Sequence, residues 1–446
     1  MALKALDIFK NLPKTNCGKC GHPTCLAFAM QMAAKKADLD DCPDVTAEGR
    51  AALEGASSPP IRMVTVGKGD GAVQIGNETV LFRHEETFYH PTGIAVRVKD
   101  DLDDAALQAE VNAVKALSFD RVGQKIAVDM IAVENASGDK AKFARAASAA
   151  KATGLAIILM SSDSDAMAAA LEVCGDQSPL LYRANSGNWE AMAALAKAKN
   201  CPLAVDASDL AQAADLTAKL NQAEVQDLVL DVTSGGLSGT LSALTKVRRL
   251  ALRKNFRPLG YPCIALPSSS DPDLAIAEAG AYVAKYAGIV VVDTKEPWRA
   301  LPLLTIRQNV FTDPRKPVQV ESKLYAIGAV NDKSPLLLTT NFSLTYYTVE
   351  GDVEASRVAS HIGVIDTEGT SVLTAWASEK LTVDKVVKFL NSEDVKGKVS
   401  HNKVIIPGYV AVMSGKLEDE SGWQVLVGPR ESSGIPKYLK TMWKAD

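Results

Sequence analysis

Between residues 94 and 315 one pattern repeats: a short unbroken apolar run, a polar turn, then an Ala-rich stretch with helical spacing. Eight runs stand out, IAVRV (94–98), KIAVDMIAV (125–133), LAIILMS (155–161), PLLYRA (179–184), PLAVDA (202–207), DLVLDVT (227–233), PCIALP (262–267) and GIVVVDT (288–294). Strands buried on both faces lose the polar alternation of a half-exposed sheet, and eight of them alternating with helices close a (β/α)8 TIM barrel. Their C-terminal ends carry Asp163, Arg183, Asn185, Asp206, Asp231 and Asp293, where a barrel places binding groups. After the sixth run, DVTSGGLSGT is Gly-rich and precedes a helix. It matches no phosphate-loop pattern, so helix capping explains it better than a phosphate cradle.

The flanks differ. Residues 1–57 have helical texture around 2–9 and 26–36, and Pro59-Pro60 ends this part. The 58–93 stretch alternates in IRMVTVG and AVQIGNETVLFRH, which predicts a linker with two or three short strands ahead of the barrel. From 323 to 446 a second α/β alternation begins. Its strands LLLTT, GVIDTEGT, KVIIPG and WQVLVGP run into loops rich in Gly, Ser and Thr. This reads as an open, doubly wound sheet with a ligand crevice at its strand ends. No G-x-G-x-x-G follows a strand, which disfavours a dinucleotide. Segments 54–60 and 313–321 are the expected hinges.

The sharpest chemistry is at the front, where Cys17, Cys20, Cys25 and Cys42 follow C-x2-C-x4-C-x16-C with Pro43 next. Three thiolates from one tight turn and a fourth from beyond a short helix suit a [4Fe-4S] cluster. Structural zinc is the alternative, although it usually comes as two separated C-x2-C pairs. Gly18 and Gly21 let the turn bend sharply, and Leu26, Phe28, Ala29, Met30 and Met32 supply apolar surface beside it. His22 reads as a neighbour of the site, since four thiolates already complete the set. Cys174, Cys201 and Cys263 lie singly in apolar segments and read as core thiols.

With 446 residues, 47% hydrophobic, the chain can fill several cores. A net charge of -4 with interspersed signs disfavours nucleic acid as a partner. No signal-like start and no long apolar run predict neither export nor a membrane span, and hence a cytoplasmic protein.

Taken together, NCGKCGHPTC with Cys42-Pro43, VLFRHEETFYHPTGIAVRV and VLVGPRESSGIPKYL resemble the large (gamma) subunits of the corrinoid iron–sulfur proteins of the anaerobic acetyl-CoA (Wood-Ljungdahl) pathway. The resemblance spans all three regions. It implies an α/β multidomain chain with a small N-terminal [4Fe-4S] domain, a TIM barrel and a C-terminal corrinoid-binding domain. It also implies pairing with a small TIM-barrel subunit into a heterodimer.

The family carries a methyl group on the cobalt of a cobalamin-type corrinoid. It takes the group from a methyltetrahydrofolate-dependent methyltransferase and delivers it to acetyl-CoA synthase/CO dehydrogenase. A low-potential electron donor and the cluster return oxidised Co(II) to Co(I). The resemblance thus implies a carrier that some schemes class as a corrinoid methyltransferase.

By motif, Cys17, Cys20, Cys25 and Cys42 would ligate the cluster. The corrinoid would lie against Thr340 and Tyr346, the loop Thr370, Ser371, Val372, Leu373 and Thr374, then Gly408, and finally Gly434, Ile435 and Pro436. None of His22, His84, His90, His361 and His401 sits in a D-x-H-x-x-G context. The resemblance therefore implies a base-off corrinoid without a histidine ligand. Two other functions compete: an iron–sulfur electron-transfer protein with another cofactor in the barrel, which predicts iron without cobalt, and a methyltransferase binding a pterin near Asp206 or Asp231.

Overall fold

The computed structural model describes residues 5–34, 36–46, 49–50, 53, 59–313 and 317–443. Parts of both expected hinges, 54–58 and 314–316, lie outside the described residues. The chain divides into two compact units, one of 1–119 with 126–311 and one of 120–125 with 312–446.

In the first unit, helices α1 (Ala5–Lys10) and α2 (Cys25–Ala33) and a 3-10 turn at Leu39–Asp41 enclose a small core of Ile8, Leu12, Phe28, Ala29, Leu39 and Leu53. Thr24 starts α2, its hydroxyl accepting from Ala27 N at 3.0 Å. Next, β1 (Val64–Val66) and β2 (Val73–Ile75) form an antiparallel hairpin. Val64, Val66 and Ile75 are buried against the barrel interior, and Gly67 N donates to Ser178 O just before a barrel strand. This hairpin therefore plugs the N-terminal mouth of the barrel.

The barrel closes through β3 (Gly93–Lys99), β6 (Met130–Glu134), β7 (Ala156–Met160), β8 (Leu180–Ala184), β9 (Leu203–Asp206), β10 (Leu228–Asp231), β11 (Cys263–Ala265) and β12 (Ala287–Val292). All neighbours are parallel. The helices between and after the strands are α3 (Asp104–Lys115), α4 (Lys140–Lys151), α5 (Ser164–Cys174), α6 (Trp189–Lys199), α7 (Leu210–Gln222), α8 (Gly236–Lys254), α9 (Pro272–Ala284) and α10 (Pro297–Phe311).

The run expected as one strand over 125–133 is two. β4 (Ser118–Arg121) and β5 (Gln124–Ala127) form a separate two-stranded sheet, and β6 begins only at Met130. Asp129 makes the break: its carboxylate accepts from Ile94 N at 2.9 Å and pairs with Arg307. Cys174, Cys201 and Cys263 are buried, and burial pushes their thiols up to about 12, 11 and 12. They are core thiols. Among the described residues, no helix is long and apolar enough to cross a membrane.

The second unit holds a sheet in the order β13-β15-β14-β16-β17. Its strands are β13 (Leu324–Ile327), β14 (Leu336–Thr340), β15 (Ser360–Ile365), β16 (Lys403–Ile406) and β17 (Gln424–Val427). The four sequence-legible strands are parallel. β13 adds an antiparallel edge whose short, half-exposed pattern carries little signal. One face packs Leu336, Leu338 and Ile406 against α13 (Val383–Leu390) and α15 (Ser414–Ser421). The other packs Leu337, Ile362 and Ile405 against α11 (Ser343–Ser356) and α16 (Ile435–Met442). α12 (Val372–Ala377) and α14 (Glu393–Lys396) complete the winding. Because β15 lies on one side of β14 and β16 on the other, the chain changes direction between β14 and β16. That is where an open α/β sheet opens its crevice.

Candidate functional site

In the N-terminal module, Gly18 (φ 70) and Gly21 (φ 77) take left-handed conformations, and Gly21 N donates to Gly18 O at 3.0 Å. The turn thereby folds Cys17 and Cys20 back toward Cys25, whose N donates to Asn16 Oδ1 at 2.8 Å. Cys42 follows the Leu39–Asp41 turn, which Asp38 caps. Lys19 Nζ meets Asp44 at 2.9 Å and ties the two cysteine-bearing segments together. This contact raises the Lys19 ammonium and lowers the Asp44 carboxyl from their ordinary values.

Burial pushes the Cys42 thiol up, and Cys20, Cys25 and Cys17 add to the rise. Cys25 and Cys42 belong to the module's buried core and Cys20 packs against it, and among the described residues no group of three His, Cys, Asp or Glu side chains stands at metal-ligating spacing. All four cysteines are free. The donor chemistry, four thiols on a glycine-bent turn beside an apolar core, fits an iron–sulfur cluster. His22 turns to Phe28, with ring centroids 5.7 Å apart. Phe28 and Ala29 belong to the module core, whereas Leu26 and Met30 are exposed.

At the β14/β16 crossover, a cavity of about 310 Å³ opens between the sheet and α11. Leu337 and Thr339 of β14, Ile405 and Ile406 of β16, and Leu344, Thr345, Thr348 and Val349 of α11 form its walls. Ser371, Val372, Leu373, Pro407, Tyr409, Pro429, Arg430, Ser432 and Ile435 come from the loops and helix starts beyond the strands. The slot is apolar with a few hydroxyls, as small-molecule sites generally are.

Of the residues expected here, Ser371, Val372, Leu373 and Ile435 line the slot. Thr340 does not; together with Thr339 it borders a small gap beside Leu381 and Met413. Tyr346 is buried on another face of α11, its OH donating to Glu350 at 2.8 Å and its ring packed on Tyr325 and Tyr347. Burial, then Glu350, raises that phenol well above its ordinary value. The Thr370 hydroxyl donates to Thr367 O at 2.7 Å, and Thr374 accepts from Ser371 at 3.1 Å.

Gly408 shapes the wall instead of lining it. A Cβ there would come 2.6 Å from Gly428 O and 2.8 Å from Arg430 N, so only a bare backbone lets the loops after β16 and β17 close together. Gly434 likewise sits against Pro429, and Pro436 lies in the first turn of α16.

Sequence reasoning missed Thr339, the α11 face and Asn341. The signal for α11 was present: Leu344, Thr345, Thr348 and Val349 have the spacing of one helix face. Buried Asn341 shapes the 366–370 loop, its Oδ1 accepting from Thr367 N, the Thr367 hydroxyl and Gly369 N at 3.0, 3.1 and 3.0 Å.

The C-terminal mouth of the barrel is a charged network. Asp231 is fully buried, accepts from Tyr182 OH at 2.6 Å and pairs with Arg183. Burial and Asp231 raise the Tyr182 phenol. Arg97 grips Asp293 in a two-pronged pair at 2.7 and 2.6 Å and reaches Glu134 at 3.5 Å. Asp163 caps α5 and Asn185 Oδ1 accepts from Gly187 N at 2.8 Å, so both are spent on local turns. Asp206 accepts from Ser208 N at 3.0 Å and faces Arg183 at 3.5 Å. DVTSGGLSGT starts α8 through Gly235 (φ 60), with no side-chain cap.

Residues 63–439 match the family model described as "CO dehydrogenase/acetyl-CoA synthase delta subunit", and residues 12–43 match one described as "Putative Fe-S cluster". The "Corrinoid/iron-sulfur protein large subunit" of Moorella thermoacetica is 48% identical over 441 residues, 99% of either chain. The "Acetyl-CoA decarbonylase/synthase complex subunit gamma" of Methanothermobacter thermautotrophicus is 39% identical over 452 residues, covering 98% of this chain and 99% of that one. Among solved structures, the dihydropteroate synthase of Thermus thermophilus aligns with 56% of this chain and 100% of its own at 16% identity and a TM-score of 0.39. A family model covering most of the barrel and the C-terminal sheet, with relatives matched from end to end, makes this chain a member of the corrinoid/iron-sulfur protein large-subunit family.

Proposed function

We propose that the chain is a methyl carrier whose C-terminal domain holds a cobalt corrinoid and whose N-terminal module holds a [4Fe-4S] cluster. The observation that carries this reading is the apolar slot at the β14/β16 crossover, on a chain that also bears the four-thiol turn. In this reading 1–57 is the cluster domain, 58–93 a connector, 94–315 the barrel and 323–446 the corrinoid domain. The corrinoid supplies a cobalt that takes up and releases a methyl group, and the cluster supplies single electrons that keep the cobalt active.

The chain's own residues bind and orient. Cys17, Cys20, Cys25 and Cys42 hold the cluster, and Lys19 paired with Asp44 keeps their two segments together. The loops carrying Ser371, Val372 and Leu373, Tyr409, and Arg430 grip the corrinoid around the slot. No histidine lines the slot. Both histidines of the C-terminal domain are engaged near the starts of the strands, His361 Nε2 with Asn331 O at 3.3 Å and His401 Nε2 with Ser334 O at 2.8 Å. This supports a base-off corrinoid without a protein nitrogen ligand.

The partners are a small TIM-barrel subunit, a methyltetrahydrofolate-dependent methyltransferase, acetyl-CoA synthase/CO dehydrogenase and a low-potential electron donor. The test is anaerobic purification with and without a co-expressed small subunit, followed by iron and cobalt analysis and an absorption spectrum. About four iron atoms per chain are expected, together with cobalt in the co-expressed preparation. Iron without cobalt in either preparation overturns the carrier reading in favour of electron transfer, and zinc in place of iron removes the cluster.

A further inference from the structure

The chain enters the C-terminal domain through residues 317–320, which belong to no regular helix or strand yet are pinned across the ends of β14 and β15. Gln319 forms an isolated antiparallel bridge with Phe342, Val320 N donates to Asn341 O at 2.9 Å, and Ser343 N donates to Val318 O at 3.0 Å. The Gln319 side chain reaches further, its Oε1 accepting from Asn341 Nδ2 at 3.0 Å. Asn341 is the residue that shapes the 366–370 loop, and its Nδ2 also donates to Asp366 Oδ1 at 3.0 Å. Gly369 (φ 72) lies directly under the 317–320 segment: a Cβ there would come 2.7 Å from Gln319 Cγ and 3.0 Å from Pro317 Cβ. The same loop runs straight into Ser371, Val372 and Leu373.

So few bonds hold this segment that it can lift without unfolding the sheet, whose strands keep their own ladders. Gln319 is exposed, so water takes over its amide when the segment lifts. Asn341 is only 3% exposed and loses a partner, while Gly369 loses its cover. Segment and loop are therefore ordered together or loosened together. A ligand that orders the loop favours the closed segment by the same free energy by which the closed segment favours the ligand. Lifting adds four residues, about 13 Å of extended chain, to the connection ahead of the domain.

We propose that residues 317–320 are a ligand-controlled strap, with Gln319 as the positioning residue that couples it through Asn341 to the 366–370 loop. The inference rests on the corrinoid reading above. With corrinoid bound the strap is closed and the connection ahead of the domain is short. In the empty chain the strap lifts and the connection lengthens, so that loaded and empty carriers differ in how far the domain can travel.

The test is hydrogen exchange, read by mass spectrometry, on the full chain co-purified anaerobically with its small subunit. A corrinoid-free preparation is compared with and without added cobalamin. One coupling hydrogen bond sets the scale: peptides covering 317–323 should exchange about tenfold more slowly once cobalamin is bound, in step with those covering 366–371. Gln319→Ala should remove the cobalamin-dependent protection of 317–323 and leave that of 366–371 in place. Unchanged exchange across β16, whose Val404 and Ile406 are core residues, reports that the variant is folded.

Equal exchange of 317–323 with and without bound cobalamin makes the strap a fixed part of the fold and overturns the inference, as does a full cobalamin response in Gln319→Ala. Failure of the unaltered protein to retain cobalt after gel filtration overturns the corrinoid reading itself, and this inference with it.

Discussion

The N-terminal module and the C-terminal domain are stabilised in different ways. Among the described residues, the module core has eight buried members, two of them cysteines, between short helices. So small a core contributes little stability by itself, and folds of that size commonly depend on a metal or a disulfide. The C-terminal domain covers both faces of a five-stranded sheet, with Leu390, Val404 and Leu417 in one core and Val353, Ile362 and Val364 in the other. Its slot is a by-product of a self-supporting fold. One region is expected to need its cofactor in order to form, while the other offers a preformed place for one.

The largest effect should come from the module. Cys42→Ser removes the proposed ligand that follows the Leu39–Asp41 turn and should abolish nearly all bound iron, read by iron analysis and visible absorption of anaerobically purified protein. Retention of full iron would show that Cys42 is not a ligand.

In the C-terminal domain, Leu390 is fully buried in one of the two cores. Leu390→Ala should cost about 2–5 kcal/mol by leaving a cavity, measured as an earlier denaturant transition, with iron content unchanged. Simultaneous loss of iron would break the contrast between the two regions.

Gly408→Ala is predicted to be milder in stability, costing about 1–3 kcal/mol through overpacking against the Gly428 and Arg430 backbone. It should still lower cobalt retention, because it parts two loops that shape the slot. Normal cobalt content in a folded variant would mean that those loops do not grip the ligand.

The smallest effect is a pH dependence. Burial depresses the His361 imidazole below its ordinary value, and its Nδ1 is buried without a partner. The unfolded chain then binds the proton more readily than the folded one. The stability supported by neutral His361 is complete above about pH 6.5 and is lost as pH falls through the depressed folded value. Denaturant titrations from pH 7.5 downward should show this slope, and His361→Gln should flatten it. An unchanged slope in that variant would assign the acid sensitivity elsewhere.

The cysteine spacing, the eight apolar runs and the four C-terminal strands were legible in the sequence because each depends on short-range order. A ligand set within one turn, or a strand buried on both faces, leaves its mark within a few residues. The Thr339–Thr340 pair shows where such legibility ends: LLLTT announces a strand end but not which threonine lines the slot. That depends on which side α11 packs against, and therefore on partners distant along the chain. Tyr346 does not line the slot for the same reason, since the rotation of α11 is set by Tyr325 and by the sheet beneath it.

Sequence alone determined the kinds and order of elements, the thiol-rich turn and the family resemblance. Tertiary structure decided that 64–75 plugs the barrel and that Asp129 divides one apolar run into two strands. It also decided that Asp163 caps a helix and that the buried hydroxyls of Thr339 and Thr340 are left without a partner. Local pattern encodes how a segment folds. Which side chain remains unsatisfied in a cavity depends on everything packed around it, and only the assembled fold supplies that.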